Sequence, residues 1–413
     1  MNVLFAKPTK AIGLDVGTHS VKAVQMSKAS GRLRVERVGY ALIDRGEFNL
    51  DPVRAQAMAV REALRVIPTN QSIVLGALPG QTVVIRYPRL QDLPDNQLSA
   101  AVEKEAGQNI PYELSEVFLD WSPLAKITEG NKTLNKVLLV AARYEIIDSR
   151  VQVAEEAGIQ FSTLGVDSLA LADAAEACDF LRVGESVAMV NLGSSSTSIH
   201  FVKDGVSNFI RDVNWGAREL LQAIMKARRC EFAEAERLLQ ASSVPEPIPA
   251  PPPLPGQSAP ESAEPEKPAA PSGGNLLDPL DDELGALGAL GDLAAEPAPA
   301  AAPTKPQPQE KSIDELISLP LAKLVSELRR SFDYYEQQLY EQPVDRLILS
   351  GGSAELPLVH NMLAEELSIP VEVADPSQSA IYLNEESQVY PMLEHPPQFM
   401  VAVGLAARGV AEL

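Results

Sequence analysis

Residues 11–24, AIGLDVGTHSVKAV, place Ile12, Leu14 and Val16 at alternate positions up to Gly17-Thr18, and Val21, Ala23 and Val24 resume beyond a polar crest. Alternation with a period of two, broken by a short Gly-containing crest, predicts strand, tight turn, strand. Asp15 stands just before the bend, and Gly17, Thr18, His19 and Ser20 lie inside it. Backbone N–H groups and hydroxyls at such a bend can face one polyanion while the carboxylate holds a cation beside it. A plain hairpin with a solvated aspartate accounts for the same residues, and His19 reads equally as a phosphate contact or as a polar loop residue.

A second copy of this grammar shifts the balance. Residues 187–205, VAMVNLGSSSTSIHFVKDG, run through an apolar stretch to Asn191, Leu192 and Gly193, cross a Ser194-Ser195-Ser196-Thr197 crest, and alternate again to an Asp-Gly turn. Two hairpins of one design, well separated in the chain, predict two related lobes. A third piece, residues 344–363, VDRLILSGGSAELPLVHNML, reads as a buried strand, then Gly351-Gly352-Ser353, then a helix with Pro357 near its start. Glycine between strand and helix lets backbone approach a flat or anionic ligand closely.

In this order the three segments resemble the phosphate-1, phosphate-2 and adenosine motifs of the actin-like ATPases, the superfamily of actin, Hsp70, sugar kinases and FtsA. LPGQTVVIRYP at 78–88, NIPYELSEVFLDW at 109–121 and LVSELRRSFDYY at 324–335 are similar to the PilM family, the cytoplasmic actin-like proteins of type IV pilus assembly. The resemblance covers nearly all of the chain outside about 243–311. It implies an α/β, two-lobed actin-like ATPase fold with an FtsA/PilM-type 1C subdomain, interrupted by a disordered Pro-rich insert. The implied division is 1–83 and 164–185 as the first lobe (1A), 84–163 as 1C, 186–214 and 341–413 as the second lobe (2A), and 215–242 with 312–340 as 2B. Residues 243–311 are the insert.

The resemblance also implies ATP and Mg²⁺ as ligands, with Asp15 and Asn191 at the metal. Lys22 and Gly216 join the two crests and Gly351–Ser353 around the nucleotide. Glu236, in an Ala-Glu pair at 235–236, takes the ribose carboxylate position, whereas Leu239 stands where relatives carry a lysine near the base. Arg330 on the 321–339 helix is a candidate for the adenine side, and a solvated helix face explains it as well. Asp167 occupies about the position from which relatives orient the attacking water; a helix N-cap before SLALADA explains it equally. The second-lobe acid of actin and Hsp70 is replaced by Asn191, so binding with slow or no turnover is expected.

Composition bounds the alternatives. The chain has 413 residues, 45% of them hydrophobic, and a formal charge of −21, which argues against a nucleic-acid surface because neutralising phosphates requires a basic face. Residues 243–310 hold 11 acids, 2 bases, 17 prolines and no aromatic residue, so this segment cannot bury enough to offset its ordering entropy. Its leucine-rich middle, 275–296, is a candidate partner-induced helix or a merely compositional run. Two cysteines, Cys178 and Cys230, and four scattered histidines give neither a disulfide framework nor zinc spacing. No apolar run approaches the ~18–20 residues of a membrane helix, and MNVLFAKPTK does not read as a signal peptide. A cytoplasmic location is expected, with membrane association only through partners.

The partner implied by the resemblance is the N-terminal cytoplasmic peptide of PilN, received between the first lobe and 1C, with PilO engaged indirectly; homo-oligomerisation is left open. Residues 83–87 and the Ile110-Pro111-Tyr112 turn lie in the region to inspect for such docking. Competing readings are an FtsA-like filament-forming division protein, opposed by the missing C-terminal amphipathic helix, a small-molecule kinase of the same superfamily, and a scaffold that binds no nucleotide. The cytoplasmic half of GspL shares the fold but is joined to a membrane span.

Overall fold

The computed structural model describes residues 7–242 and 311–413; the expected insert at 243–311, with its leucine-rich middle, falls almost wholly outside them. In chain order, β1 (Lys10–Val16), β2 (Ser20–Ala29) and β3 (Arg32–Leu42) form a meander, followed by α1 (Arg45–Leu50), α2 (Pro52–Leu64) and β4 (Ser72–Leu78). Next come β5 (Val83–Arg86), β6 (Arg89–Gln91), α3 (Asp95–Asn109), β7 (Val117–Glu129), β8 (Lys132–Arg143), α4 (Tyr144–Ala157), β9 (Thr163–Val166) and α5 (Asp167–Ala177). The second half holds β10 (Ser186–Leu192), β11 (Thr197–Lys203), β12 (Val206–Val213), α6 (Ala217–Arg228), α7 (Phe232–Ser242) and α8 (Ile313–Asp333). It ends with β13 (Arg346–Ser350), α9 (Pro357–Leu367), β14 (Val371–Val373), β15 (Tyr382–Leu383), α10 (Glu386–Glu394) and α11 (Met400–Ala411).

Two sheets repeat one topology. The first runs β15-β3-β2-β1-β4-β9 and the second β12-β11-β10-β13-β14. In each, an antiparallel meander feeds a central strand whose other neighbour is parallel: β1 with β4, and β10 with β13. Parallel pairs need crossovers that cover the sheet faces, and β1 shows the result. Ile12, Leu14 and Val16 pack with Ala57 and Val60 of α2, while Ala11 on the opposite face packs with Ala402 and Leu405 of α11. One core cluster joins Ala170, Leu171 and Ala174 of α5 and the α11 side chains to Val187, Met189, Val202 and Ile348 of the second sheet. These two helices therefore fuse the lobes.

A third, four-stranded sheet is built on the long β8, paired along one edge with β7 and along the other with β5 and then β6. Leu98, Val102, Ala106 and Ile110, spaced by four at helical period, pack onto Val137, Leu139 and Ala141.

Some expectations change. Residues 341–413, expected in the second lobe, divide: the closing helix α11 packs on β1, β2, β4 and α5, and β15 joins the first sheet through β3. The reason is close approach: a Cβ on Gly13 would lie 2.0 Å from the Ala402 carbonyl oxygen, and one on Gly404 1.8 Å from that of Ala170. The helix expected from Leu321 starts at Ile313, where Ser312 and Glu315 form a reciprocal capping box, and continues through Pro320. It closes in a π-helical turn at Tyr334–Gln338 that buries Tyr335 against Phe201, ring centroids 4.4 Å apart.

Candidate functional site

Both hairpin bends are closed in the same way. Gly17 N–H donates to Ser20 O (3.1 Å) and Gly193 N–H to Ser196 O (3.0 Å). Gln56 of α2 holds the first bend through Gly17 O, at 2.8 Å. The amino end of α6 holds the second, with Ala217 N–H on Gly193 O and Arg218 N–H on Ser194 O. Gly351 takes φ +86°, and a Cβ there would lie 2.4 Å from Leu192 O. Glycine allows the third turn to press against the end of β10.

The three turns open onto one cleft of about 890 Å³, within the usual range for ligand pockets, ~300–1,000 Å³. Asp15, Gly17, Thr18, His19, Ser20, Lys22, Asp167, Asn191, Gly193, Ser194, Ser195, Ser196, Glu236, Gly351, Gly352 and Ser353 all line it. Three candidates do not. Thr197 is buried with its hydroxyl donating to Trp215 O, and Gly216 packs under Ser194, where a Cβ would lie 2.5 Å from that residue's carbonyl oxygen. Arg330 points away, paired with Glu327 at 2.7 Å and two-thirds exposed. Thr197 and Gly216 support the crest from beneath; Arg330 has no contact with it.

The first and second lobes touch across the cleft. Thr18 Oγ1 donates to Ser195 Oγ at 3.3 Å, and His19 Nε2 lies 3.4 Å from Glu236 Oε1. Burial holds the His19 imidazole below its usual range against the pull of Glu236, and Lys22, Arg45 and Arg218 press in the same direction as burial. Lys22 Nζ lies 3.6 Å from Asp15 Oδ2, and the buried Arg150 of α4 donates to Val16 O at 3.2 Å. Ser353 Oγ is buried with no hydrogen-bond partner. An orphaned hydroxyl beside a cleft, two N–H-rich bends and nearby cations fit a phosphorylated ligand.

Among the described residues no cluster of three or more His, Cys, Asp or Glu could hold a metal. Mg²⁺ needs no such cluster, since it is commonly held by one or two carboxylates together with phosphate oxygens and water. Asp15 and Asn191 would supply the protein ligands; Asn191 Oδ1 accepts from Ser350 Oγ at 3.4 Å.

Asp167 is half-buried at the wall of the cleft. Its Oδ1 accepts from Gly80 N–H (2.8 Å) and Ser168 N–H (2.6 Å), and burial, with Asp212 next, pushes its carboxyl up to about 7. Asp212 crowds Gly80 from the other side, 2.7 Å from where a Cβ would stand, and accepts from Ser198 Oγ. Sequence reading missed Arg150, Gln56, Tyr40, Glu355 and His395, which also border or support the cleft. No local motif marks them, because each reaches the cleft from a different element.

Two sheets of repeated topology facing one another across a cleft, with N–H-rich bends from both, define the two-lobed actin-like ATPase fold. Residues 13–249 and 293–410 match the family described as Type IV pilus assembly protein PilM, and the chain belongs to that family. It is similar in fold to a solved PilM-PilN type IV pilus biogenesis complex, with 21% identity over 97% of this chain and 98% of that one and a TM-score of 0.70. More distant likenesses include the ethanolamine utilization protein EutJ of Carboxydothermus hydrogenoformans, 13% identical over 98% of this chain and 92% of that one, TM-score 0.48. MreB 5 of Spiroplasma citri is 12% identical over 97% and 95%, TM-score 0.43. Among the described residues no helix is long and apolar enough to cross a membrane.

Proposed function

We propose that this protein is a nucleotide-binding adaptor of the type IV pilus inner-membrane alignment complex, acting at the inner face of the cytoplasmic membrane. ATP and Mg²⁺ lie between the bends at 15–20 and 191–196, with Gly351–Ser353 under the nucleoside. The observation that carries this reading is the convergence of both bends, the third turn and the orphaned Ser353 hydroxyl on one cleft. Turnover is slow or absent, because both N–H contacts on Asp167 tie it to Gly80 and to its own helix, and Asn191 replaces a carboxylate.

The N-terminal peptide of PilN docks near the third sheet, which is the proposed 1C subdomain, and PilO is engaged indirectly. Supporting this, Gly107 and residues 110–116 line a second, open hollow of about 710 Å³. Tyr112 and Leu114 in it and Phe118 on the adjoining β7 are exposed, and the Arg143 guanidinium lies 5.2 Å from the Tyr112 ring centre. Exposed apolar side chains beside a strand suit an extended peptide, which gains backbone pairing at the edge and pockets for alternate residues.

Thermal denaturation with and without ATP-Mg²⁺ tests the cleft, since a ligand binding only the folded state stabilises it by ~2.7 kcal/mol at a hundredfold excess over Kd. An unmoved melting temperature at saturating ATP rejects nucleotide binding. Calorimetric titration with the PilN N-terminal peptide tests the adaptor role. A saturable signal is expected, lost in a Phe118→Asp variant that keeps its melting temperature; no binding by the folded protein, with or without ATP, rejects it.

A further inference from the structure

The third sheet belongs to the first lobe by chain connection. It leaves β4 through Gly80–Thr82 and returns through α4 to β9. A hydrogen-bonded chain, half-buried at Tyr87 and Ser207 and buried at His200, nevertheless ties it to the second lobe. Tyr87, in the turn between β5 and β6, has its hydroxyl 2.7 Å from Ser207 Oγ of β12. Ser207 Oγ lies 2.8 Å from Nε2 of His200 on β11, and His200 Nδ1 lies 2.8 Å from Ser168 O at the start of α5, next to Asp167.

The direction of every proton follows from chemistry. A carbonyl oxygen only accepts, so His200 Nδ1 carries the hydrogen and donates to Ser168 O. The ring is fully buried and its pKa is pushed down to about 4 by that burial, so at neutral pH Nε2 is an acceptor. Ser207 must then donate to Nε2, which leaves its oxygen to accept from the Tyr87 hydroxyl. One ordered chain runs from the third sheet, through the edge strand β12 and its neighbour β11, to the residue beside the cleft aspartate. Pulling Ser207 or His200 aside leaves the buried His200 ring nitrogen or the Ser168 carbonyl unpaired.

We propose that Tyr87, Ser207 and His200 form a conformational relay that transmits changes in lobe spacing to the third sheet and to the hollow at residues 110–116. The proposal rests on the reading that the cleft takes a nucleotide. A polyanion seated between the two bends competes for the Thr18 and Ser195 hydroxyls, which now meet each other, and for His19, which faces Glu236. Rearranging these cross-cleft contacts shifts the second sheet against α5. The third sheet, covalently held by one lobe and hydrogen-bonded to the other, takes up the difference.

Hydrogen exchange on the full chain, with and without ATP-Mg²⁺, tests the relay. In the wild type ATP-Mg²⁺ slows exchange at 15–20 and 191–197 and changes exchange in β5 and β8 by about threefold or more. Tyr87→Phe keeps the ring and loses only the hydroxyl: ATP-Mg²⁺ protection of the bends persists while the β5 and β8 response disappears. Ser207→Ala has the same effect, and Ser207→Thr, which keeps a hydroxyl, restores the response. A β5 and β8 response undiminished in both Tyr87→Phe and Ser207→Ala overturns the relay. Protection of the bends without any response in the wild-type third sheet overturns the relay and leaves nucleotide binding standing. No protection of the bends removes nucleotide binding and the relay with it.

Discussion

Asp167 carries a stability cost that pH exposes. Its carboxyl, near 3.9 in an unfolded chain, is raised to about 7 in the fold by burial and then by Asp212. The folded state therefore holds the proton more tightly, and stability from this group is full below about pH 4 and lost as pH rises through about 7. Asp167→Asn keeps an oxygen for the Gly80 and Ser168 N–H groups and removes the charge. In the ligand-free protein the variant should gain stability over the wild type as pH rises from 4 to 7, by at most ~1.4 kcal/mol per pH unit, with a constant gap above. Urea unfolding across that range measures it, and a gap independent of pH rejects the assignment. At this scale the motif residues were legible because turn chemistry is local: Asp15, Gly17, Gly193 and Gly351 announce themselves by neighbours in sequence. Arg150 and His200 were not, since their partners lie 134 and 32 positions away, nor was Asp212, whose partner Ser198 is on the neighbouring strand.

Elements with a strong period were legible and short ones were not. The strand–turn–strand segments read at 11–24 and 187–205 coincide with β1–β2 and β10–β11, whereas α1, β6, β14, β15 and α10 were missed. A strand of two or three residues is made by its neighbour, as Tyr382–Leu383 is by β3, and carries no pattern of its own. The last helix shows a different limit. Its all-round apolar face, MVAVGLAARGVA, says buried without saying against what. Gly404 settles its seat by letting α11 press on the Ala170 backbone of α5, so Gly404→Ala should push the helices apart. A loss of ~1–3 kcal/mol is expected, read from the urea midpoint, and an unchanged midpoint would show that the contact relaxes freely.

For the whole molecule, α7 ends at Ser242 and α8 starts at Ile313, and both pack with α6 in one helical layer. The family match likewise skips from 249 to 293. Replacing 245–308 with a short Gly/Ser linker should leave the melting temperature within about 2 °C and ATP-Mg²⁺ stabilisation intact, because no aromatic anchor is removed. A large loss of stability would mean that a packed element had been cut away. The deletion also removes 10 acids and 2 bases, so it tests how far that charge serves solubility and association instead of folding.

The amino-acid sequence alone determined that the chain is a duplicated α/β protein with two related bends and a glycine turn, and that its middle is compositionally unlike the rest. Those are properties of period, turn chemistry and composition, which operate within a few residues. The tertiary structure alone decided that three turns share one cleft, that the last helix returns to the first sheet, and that Thr197, Gly216 and Arg330 stand outside the cleft. It alone revealed the chain of protons from Tyr87 to Ser168. These depend on which surfaces approach closely enough to bury a donor against an acceptor, and that is settled by packing between elements far apart in the chain.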